Sequence, residues 1–338
     1  MEEPLRIGVL GAARINDMTL FPPAADIGAR VVAVAARDRA RANEYARANG
    51  IERVVDDYDA LVNDPEVEAV YNPLPNGLHT HWNLKAIAAG KHVLGEKPFS
   101  SNAAEAALVH EAASAHPELV VFDGFHYRYH PTFLRLLELV RDGAIGRVQH
   151  VRTIMSTPVT NLNDIRWSWD LAGGALMDVG CYTINALRAI SHELGDVEPR
   201  LLTAVAGHLE GTDERIDAWS RLTYELPDGV GGLCEMSLIG PQDFSATVVG
   251  SRGTIHQANL SYVHTDDRLI VVRDGETLVE ELGRTSSFTY QLRAFRDAIR
   301  LGRPFPTTTA DAVINMQAID QAYSMAGLPP RESVTFPE

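Results

Sequence analysis

The chain has 338 residues, more than the roughly 250 to 300 over which a single hydrophobic core keeps growing, so two domains are expected. Thirty Lys and Arg against 45 Asp and Glu leave a net charge of −15, which repels phosphate backbones and anionic bilayers and argues against nucleic-acid and membrane partners. Cys181 and Cys234 are too few for a disulfide framework or a cysteine-rich zinc site. No apolar run approaches the ~18 residues of a membrane span, and the acidic start Met1-Glu2-Glu3-Pro4 lacks the basic and apolar regions of a signal peptide, so a reducing, cytoplasmic setting is expected.

Residues 5–10 read as a buried strand and residues 31–36 as a second, fully apolar one. Between them Gly11-Ala12-Ala13-Arg14-Ile15 occupies the place of a G-x-G-x-x-G turn, with one glycine of the three kept. The order of strand, glycine turn, helix and strand within about 30 residues is what a dinucleotide site needs, because backbone N–H groups at the helix start can hold a pyrophosphate. At the tip of the second strand stands Ala36-Arg37-Asp38. Arg37 fits the 2′-phosphate of NADP in preference to NAD, and Asp38 fits as the cap of a helix over 39–49.

A strand over 51–55, a short helix over 59–62 and a strand over 67–71 follow, ending in the stiff loop Asn72-Pro73-Leu74-Pro75-Asn76-Gly77. Leu74, Pro75, Asn76 and His79 are candidate cofactor contacts. A helix over 79–89 ends at Gly90, and a strand over 92–94 leads into Gly95-Glu96-Lys97-Pro98. Taken singly, a lysine is most often a solvated surface charge. Pro98 biases Lys97 away from helix, however, and places its ammonium at a strand's C-terminal end, where open α/β sheets bind ligands. With a helix over 100–115 and a strand over 119–122, the first part reads as an N-terminal Rossmann doubly wound parallel sheet, residues 1–123.

The segment Phe125-His126-Tyr127-Arg128-Tyr129-His130-Pro131 is rich in rings and charge. Pro131 places His130 ahead of the helix over 132–141, so the two histidines do not share a helical face and no metal site is expected. From residue 148 the pattern changes to strands separated by turns, at 148–156, 201–209, 217–224, 231–238, 244–249, 254–258, 269–273 and 277–281, with closing helices over 288–300 and 309–326. Residues 124–338 thus read as a large, mostly antiparallel open sheet, an α+β domain for substrate binding. One uncovered sheet face makes a homodimer the expected assembly.

Within this half, Asp164 to Tyr182 interrupts the strands. If the chain is helical from Ala175, Asp178 and Tyr182 fall four apart on one face, a carboxylate beside a phenol. Gly180 inside that helix would be unfavourable by about 1 kcal/mol against alanine, which indicates close approach of another group. Arg166, Trp167 and Trp169 are candidate substrate contacts, and a core helix with locally satisfied Asp and Tyr is the plain alternative.

Taken together, Gly8-Val9-Leu10-Gly11-Ala12-Ala13, Pro75-Asn76-Gly77-Leu78-His79, Gly95-Glu96-Lys97-Pro98 and Gly173-Gly174-Ala175-Leu176-Met177-Asp178-Val179-Gly180-Cys181-Tyr182 resemble the Gfo/Idh/MocA oxidoreductases along nearly the whole chain. The Asp-x-Gly-Cys-Tyr version is similar to the branch of dimeric dihydrodiol dehydrogenases, NADP-dependent D-xylose dehydrogenases, glucose-fructose oxidoreductase and some sugar ketoreductases. The resemblance implies hydride transfer between NADP and a sugar, keto-sugar or related diol. It also implies catalytic roles for Lys97, Asp178 and Tyr182, cofactor contact by Gly11 to Ile15, Arg37, the 74–76 loop, His79, Glu96 and Lys97, and a cis bond before Pro98. A phenol ionises near pH 10, and an ammonium beside it favours phenolate, which suits Tyr182 to carry the proton. The reading from another class is a nucleotide-sensing protein that keeps the fold without chemistry.

Overall fold

The computed structural model describes residues 3–334, so the first two residues of the acidic start and the last four residues lie outside the description. The chain divides into two compact units. Among the described residues the first comprises 3–126, 288–314 and 333–334, and the second comprises 127–287 and 315–332.

In the first unit six strands, β1 (Arg6–Leu10), β2 (Arg30–Ala35), β3 (Arg53–Val54), β4 (Ala69–Asn72), β5 (His92–Gly95) and β6 (Val121–Asp123), form one parallel sheet in the order β3-β2-β1-β4-β5-β6. The order reverses at β1, and the loops after β1, β4 and β5 emerge at the edge where such sheets bind ligands. The central strands are apolar and buried on both faces, as a sheet covered by helices on each side requires. The helix caps are legible locally: Asp38, Asp57 and Asn102 each accept a backbone N–H of the first turn that follows.

Residues 288–314, late in the chain, belong to the first compact unit. Phe122 packs on Phe295 and Phe305, with ring centroids 5.1 and 4.1 Å apart. Arg300 pairs with Glu68, Thr289 donates to Asp26 at 2.8 Å, and the Asp123 N–H donates to the Thr307 carbonyl at 3.1 Å. Apolar burial and long-range ion pairing therefore bring this late segment back onto the first sheet.

The second unit holds eight strands: β7 (Val148–Ser156), β8 (Arg200–Gly207), β9 (Trp219–Leu226), β10 (Val230–Ser237), β11 (Ala246–Gly250), β12 (Gly253–Gln257), β13 (Arg268–Arg273) and β14 (Glu276–Glu281). They run in the order β14-β13-β12-β11-β7-β10-β9-β8, antiparallel throughout except where β7 and β10 pair in parallel. One face is covered by the helix Cys181–Gly195, which is buried through most of its length. Among the described residues no helix is long and apolar enough to cross a membrane.

Candidate active site

The site residues of the first unit converge on the turn after β1 and the loops after β4 and β5. Gly11 has φ +89°, a left-handed conformation that glycine adopts without strain, and its N–H donates to the Ala35 carbonyl at 2.8 Å. A Cβ there would come within 3.1 Å of Leu74, so the glycine turn and the 74–76 loop are packed on each other. Ala12 and Ala13 follow, their carbonyls taken by the Arg41 guanidinium at 2.6 Å and the Tyr45 hydroxyl at 2.9 Å, while Arg14 and Ile15 are exposed. Sequence reasoning passed over Arg41 and Tyr45. A guanidinium spaced four residues from Arg37, on the helix Arg39–Asn49, was the available signal. Arg37 is exposed just past the end of β2. The bare glycine turn, the free backbone approach it permits and a guanidinium at the second strand's tip fit the pyrophosphate and 2′-phosphate of NADP.

His79 ties two of these loops together. It is fully buried, with Nε2 2.6 Å from the Leu74 carbonyl and Nδ1 2.7 Å from the Pro98 carbonyl. Burial pulls its pKa down, against the opposing pull of the two carbonyls. The side chain thus shapes the loops from behind. Asn76 begins a 3₁₀ turn, Asn76–Leu78, that leads into the helix His79–Ala88, and Pro75 precedes it in extended conformation.

After β5, Glu96 accepts from the Tyr71 hydroxyl at 2.8 Å, and Tyr71 in turn lies 2.7 Å from the Thr19 hydroxyl. Lys97 is half-buried and precedes a cis bond to Pro98. Gly124 lets the end of β6 approach this loop: a Cβ there would sit 2.8 Å from the Gly95 carbonyl and 3.1 Å from the Lys97 nitrogen. Next to it Asp123 is fully buried, with Oδ1 lacking any hydrogen-bond partner, and burial, then Asp311 and Glu96, hold its carboxyl well above the usual range.

In the second unit the segment from Leu176 to Gly180 is a π-helical turn, which passes into the α-helix Cys181–Gly195. Such wide turns often mark functional sites. The plain α-helix expected from Ala175 is corrected here, and so is the spacing argument built on it. Gly180 is explained by packing: a Cβ would meet Leu176 at 2.9 Å and Met236 of β10 at 3.2 Å.

Asp178 and Tyr182 are both buried, at 7% and 5% exposure. Arg166 donates from Nε to Asp178 Oδ2 at 2.6 Å and from Nη1 to Asp164 at 3.1 Å, and Asp178, first among the causes, raises the pKa of the guanidinium. Tyr182 lies against Tyr127, ring centroids 5.8 Å apart. The Tyr127 hydroxyl donates to Asn185 Oδ1 at 2.6 Å, and Arg128 donates to the same oxygen at 3.2 Å. Tyr127, Arg128 and Asn185 were not singled out, although the ring-rich segment before Pro131 was the place to find two of them.

Trp167 is buried, whereas Trp169 has the guanidinium of Arg215 at 4.4 Å and that of Arg331 at 4.7 Å from its ring centre. Cations thus already lie against the Trp169 ring. His130 caps the helix Pro131–Arg141, its Nδ1 accepting the Thr132 N–H at 3.1 Å.

Residues 5–123 match the oxidoreductase family with an NAD-binding Rossmann fold, and residues 133–256 match the Gfo/Idh/MocA C-terminal domain. A D-xylose 1-dehydrogenase (NADP(+)) of Haloferax volcanii is 32% identical over 327 residues, 95% of this chain and 97% of that one. A dTDP-3,4-didehydro-2,6-dideoxy-alpha-D-glucose 3-reductase of Streptomyces antibioticus is 38% identical over 335 residues, 95% and 97% of the two chains. Among solved structures, a 3-ketoreductase from Actinomadura kijaniata in complex with NADP and TDP-benzene superimposes with a TM-score of 0.86 at 25% identity, covering 96% of this chain and 98% of that one. With both halves matched and relatives aligned end to end, the chain belongs to the Gfo/Idh/MocA family of oxidoreductases.

Proposed function

We propose that the chain is an NADP-dependent oxidoreductase that interconverts a secondary alcohol, or lactol, and its carbonyl on a sugar or keto-sugar. The observation that carries this reading is Tyr182, a buried phenol at the head of a helix whose preceding turn holds a carboxylate already engaged by a guanidinium. The names of the full-length relatives, an NADP(+) sugar dehydrogenase and a nucleotide-sugar ketoreductase, support the reaction and cofactor classes.

The nicotinamide of NADP supplies the hydride acceptor or donor. Gly11 to Ile15, Arg37, residues 74–76, Glu96 and Lys97 hold it, and His79 keeps the 74–76 loop and the Lys97-Pro98 loop in register. Lys97 orients the reacting oxygen through its ammonium. Tyr182 takes the hydroxyl proton on oxidation and returns it on reduction, which at its reference pKa of about 10 demands a favouring environment for phenolate. Asp178 binds a substrate hydroxyl while Arg166 holds its other oxygen, and Trp167 and Trp169 border the same segment.

Two further assignments go with this reading. The outer face of the second unit's sheet exposes Leu202, Val205 and Trp219 beside the ion pairs of Arg152 and Arg221 with Glu235, a mixed apolar and charged surface suited to a second copy of the chain. Sedimentation at micromolar concentration should give a dimer, and a Trp219→Glu variant a monomer. The two thiols are buried, and burial pushes Cys234 up to about 12, which suits unreactive cysteines in the reducing cytoplasm.

The test is turnover across a panel of aldoses, keto-sugars and trans-diols with NADP(H). Tyr182→Phe should lose turnover by roughly a hundredfold or more while still binding NADPH. Wild-type turnover in Tyr182→Phe would remove the tyrosine from the mechanism. Binding without turnover on any panel member would make the chain a nucleotide sensor.

A further inference from the structure

The turn that carries Asp178 is not capped by its own neighbours. Ala175, at its N-cap position, makes no side-chain cap, yet helix starts leave backbone N–H groups that need acceptors. The acceptors come from elsewhere in the chain. The Leu176 N–H donates to Asp217 Oδ2 at 2.6 Å and the Ala175 N–H donates to the Asp217 carbonyl at 2.8 Å. The Gly174 N–H donates to the Arg166 carbonyl at 2.9 Å, and the Gly174 carbonyl accepts the Asp178 N–H at 2.9 Å.

Asp217 is itself held from three sides. Ser220 donates to its Oδ2 at 3.0 Å, Tyr323 to its Oδ1 at 2.9 Å, and Arg331 from Nη2 to its Oδ1 at 2.9 Å. Both side chains of the Arg331–Asp217 ion pair have 0% exposure. Arg331 also donates from Nε to the Gly173 carbonyl at 2.7 Å, and its guanidinium lies 4.2 Å from the Tyr323 ring centre and 4.7 Å from that of Trp169. Gly174 has φ +127°, and a Cβ there would collide with both Asp217 Oδ1 and Arg331 Nη2. The Gly173-Gly174 pair is thereby the seat into which the ion pair fits.

We propose that Arg331, acting through Asp217, is a positioning residue that sets the place of the Leu176–Gly180 turn and hence of Asp178 and Tyr182. The proposal rests on the reading of those two side chains as reaction groups. A planar fork reaching Gly173, Asp217 and the two ring faces at once is a task for guanidinium, since an ammonium has no planar fork. A residue distant in sequence from Asp178 and Tyr182 thus fixes where the reacting groups stand, and misplacement by an ångström is enough to slow a reaction.

Arg331→Lys keeps the charge opposite Asp217 and loses the fork, and Tyr323→Phe removes one donor while leaving the ion pair. Both are measured on the whole protein. Hydrogen exchange across residues 173–182 should rise in each variant, with peptides of the first unit unchanged. In Arg331→Lys, turnover per folded molecule should fall roughly ten- to a hundredfold with NADPH affinity retained, and the pH profile of kcat should be displaced. Tyr323→Phe should show a smaller change in the same direction. Unchanged exchange at 173–182 in both variants would overturn the proposal. So would a lower melting temperature accompanied by unaltered kcat, KM and pH profile per folded molecule, the signature of a purely structural role. Tyr182→Phe assayed alongside reports separately on the underlying reading: full activity there would overturn the site assignment whatever the exchange shows.

Discussion

The Asp178 carboxylate meets the Arg166 Nε at 2.6 Å, so its Oδ2 is already engaged by a cation. Neither side chain is then an independent unit. In a double-mutant cycle of Asp178→Asn and Arg166→Met on kcat/KM, the double variant should lose less than the sum of the two single losses, with a coupling of about 1–3 kcal/mol. Additive losses would mean that Arg166 serves substrate and Asp178 separately.

Arg37 should decide between the two nicotinamide dinucleotides. Arg37→Ala removes the cation facing a 2′-phosphate and should weaken NADPH by roughly ten- to a hundredfold, about 1.4–2.8 kcal/mol, while leaving NADH nearly unchanged. Arg41→Ala makes an informative contrast, because Arg41 anchors the Ala12 carbonyl of the glycine turn and its loss should weaken both dinucleotides. Fluorescence titration of the two variants with each cofactor separates the roles. Equal weakening of NADPH and NADH by Arg37→Ala would remove the 2′-phosphate contact.

Acid should loosen the cofactor loops through His79. Burial lowers its pKa in the folded chain below the ordinary 6.5, so the unfolded chain binds the proton more readily. Its contribution to stability is therefore fully present above about pH 6.5 and is lost as pH falls from there through the folded value. Burial lowers His92, His130 and His256 as well, so the wild-type melting temperature should drop on going from about pH 7.5 to about pH 5.5. A neutral amide at this position, His79→Gln, should flatten part of that drop. An identical slope in the variant would place the titration elsewhere.

Asp123 works in the opposite sense. Its folded pKa is raised well above 3.8, so the folded chain holds the proton more tightly and stability declines as pH rises from the unfolded value toward the folded one. Asp123→Asn supplies an uncharged group of the same shape. The variant should gain on the wild type as pH rises, by about 1–2 kcal/mol at neutral pH, in denaturant melts at several pH values. A pH-independent difference would show that the carboxyl binds its proton equally in the folded and unfolded chains, and would overturn the raised pKa.

Much of the first unit was legible because its signals are local. Strand and helix alternate in order, Asp38 caps where a cap was read, and the lysine before Pro98 stands at the sheet's ligand edge. The second unit showed its strands but not their pairing. The parallel contact of β7 with β10 joins segments some eighty residues apart in sequence, and no turn between them announces it. Asp217 read as the opening of a strand; its side chain instead caps a turn 41 residues earlier, a relation set by tertiary packing alone. The π-helical turn escaped for the same reason, since a widened turn carries no periodicity of its own. The neighbours of Tyr182 were out of reach until Tyr127 was seen to bond Asn185.

The return of residues 288–314 to the first sheet makes synthesis order matter. When β6 leaves the ribosome, Phe122 has none of its late partners, and Phe295 and Phe305 are still more than a hundred and fifty codons away. At roughly 5–20 residues per second the nascent unit waits on the order of ten seconds or longer with that apolar patch uncovered. The nucleotide-binding half is made first and finished last, so a chain cut short after residue 126 would leave the ribosome with all six strands of the sheet but a sticky, uncovered patch, a substrate for chaperones.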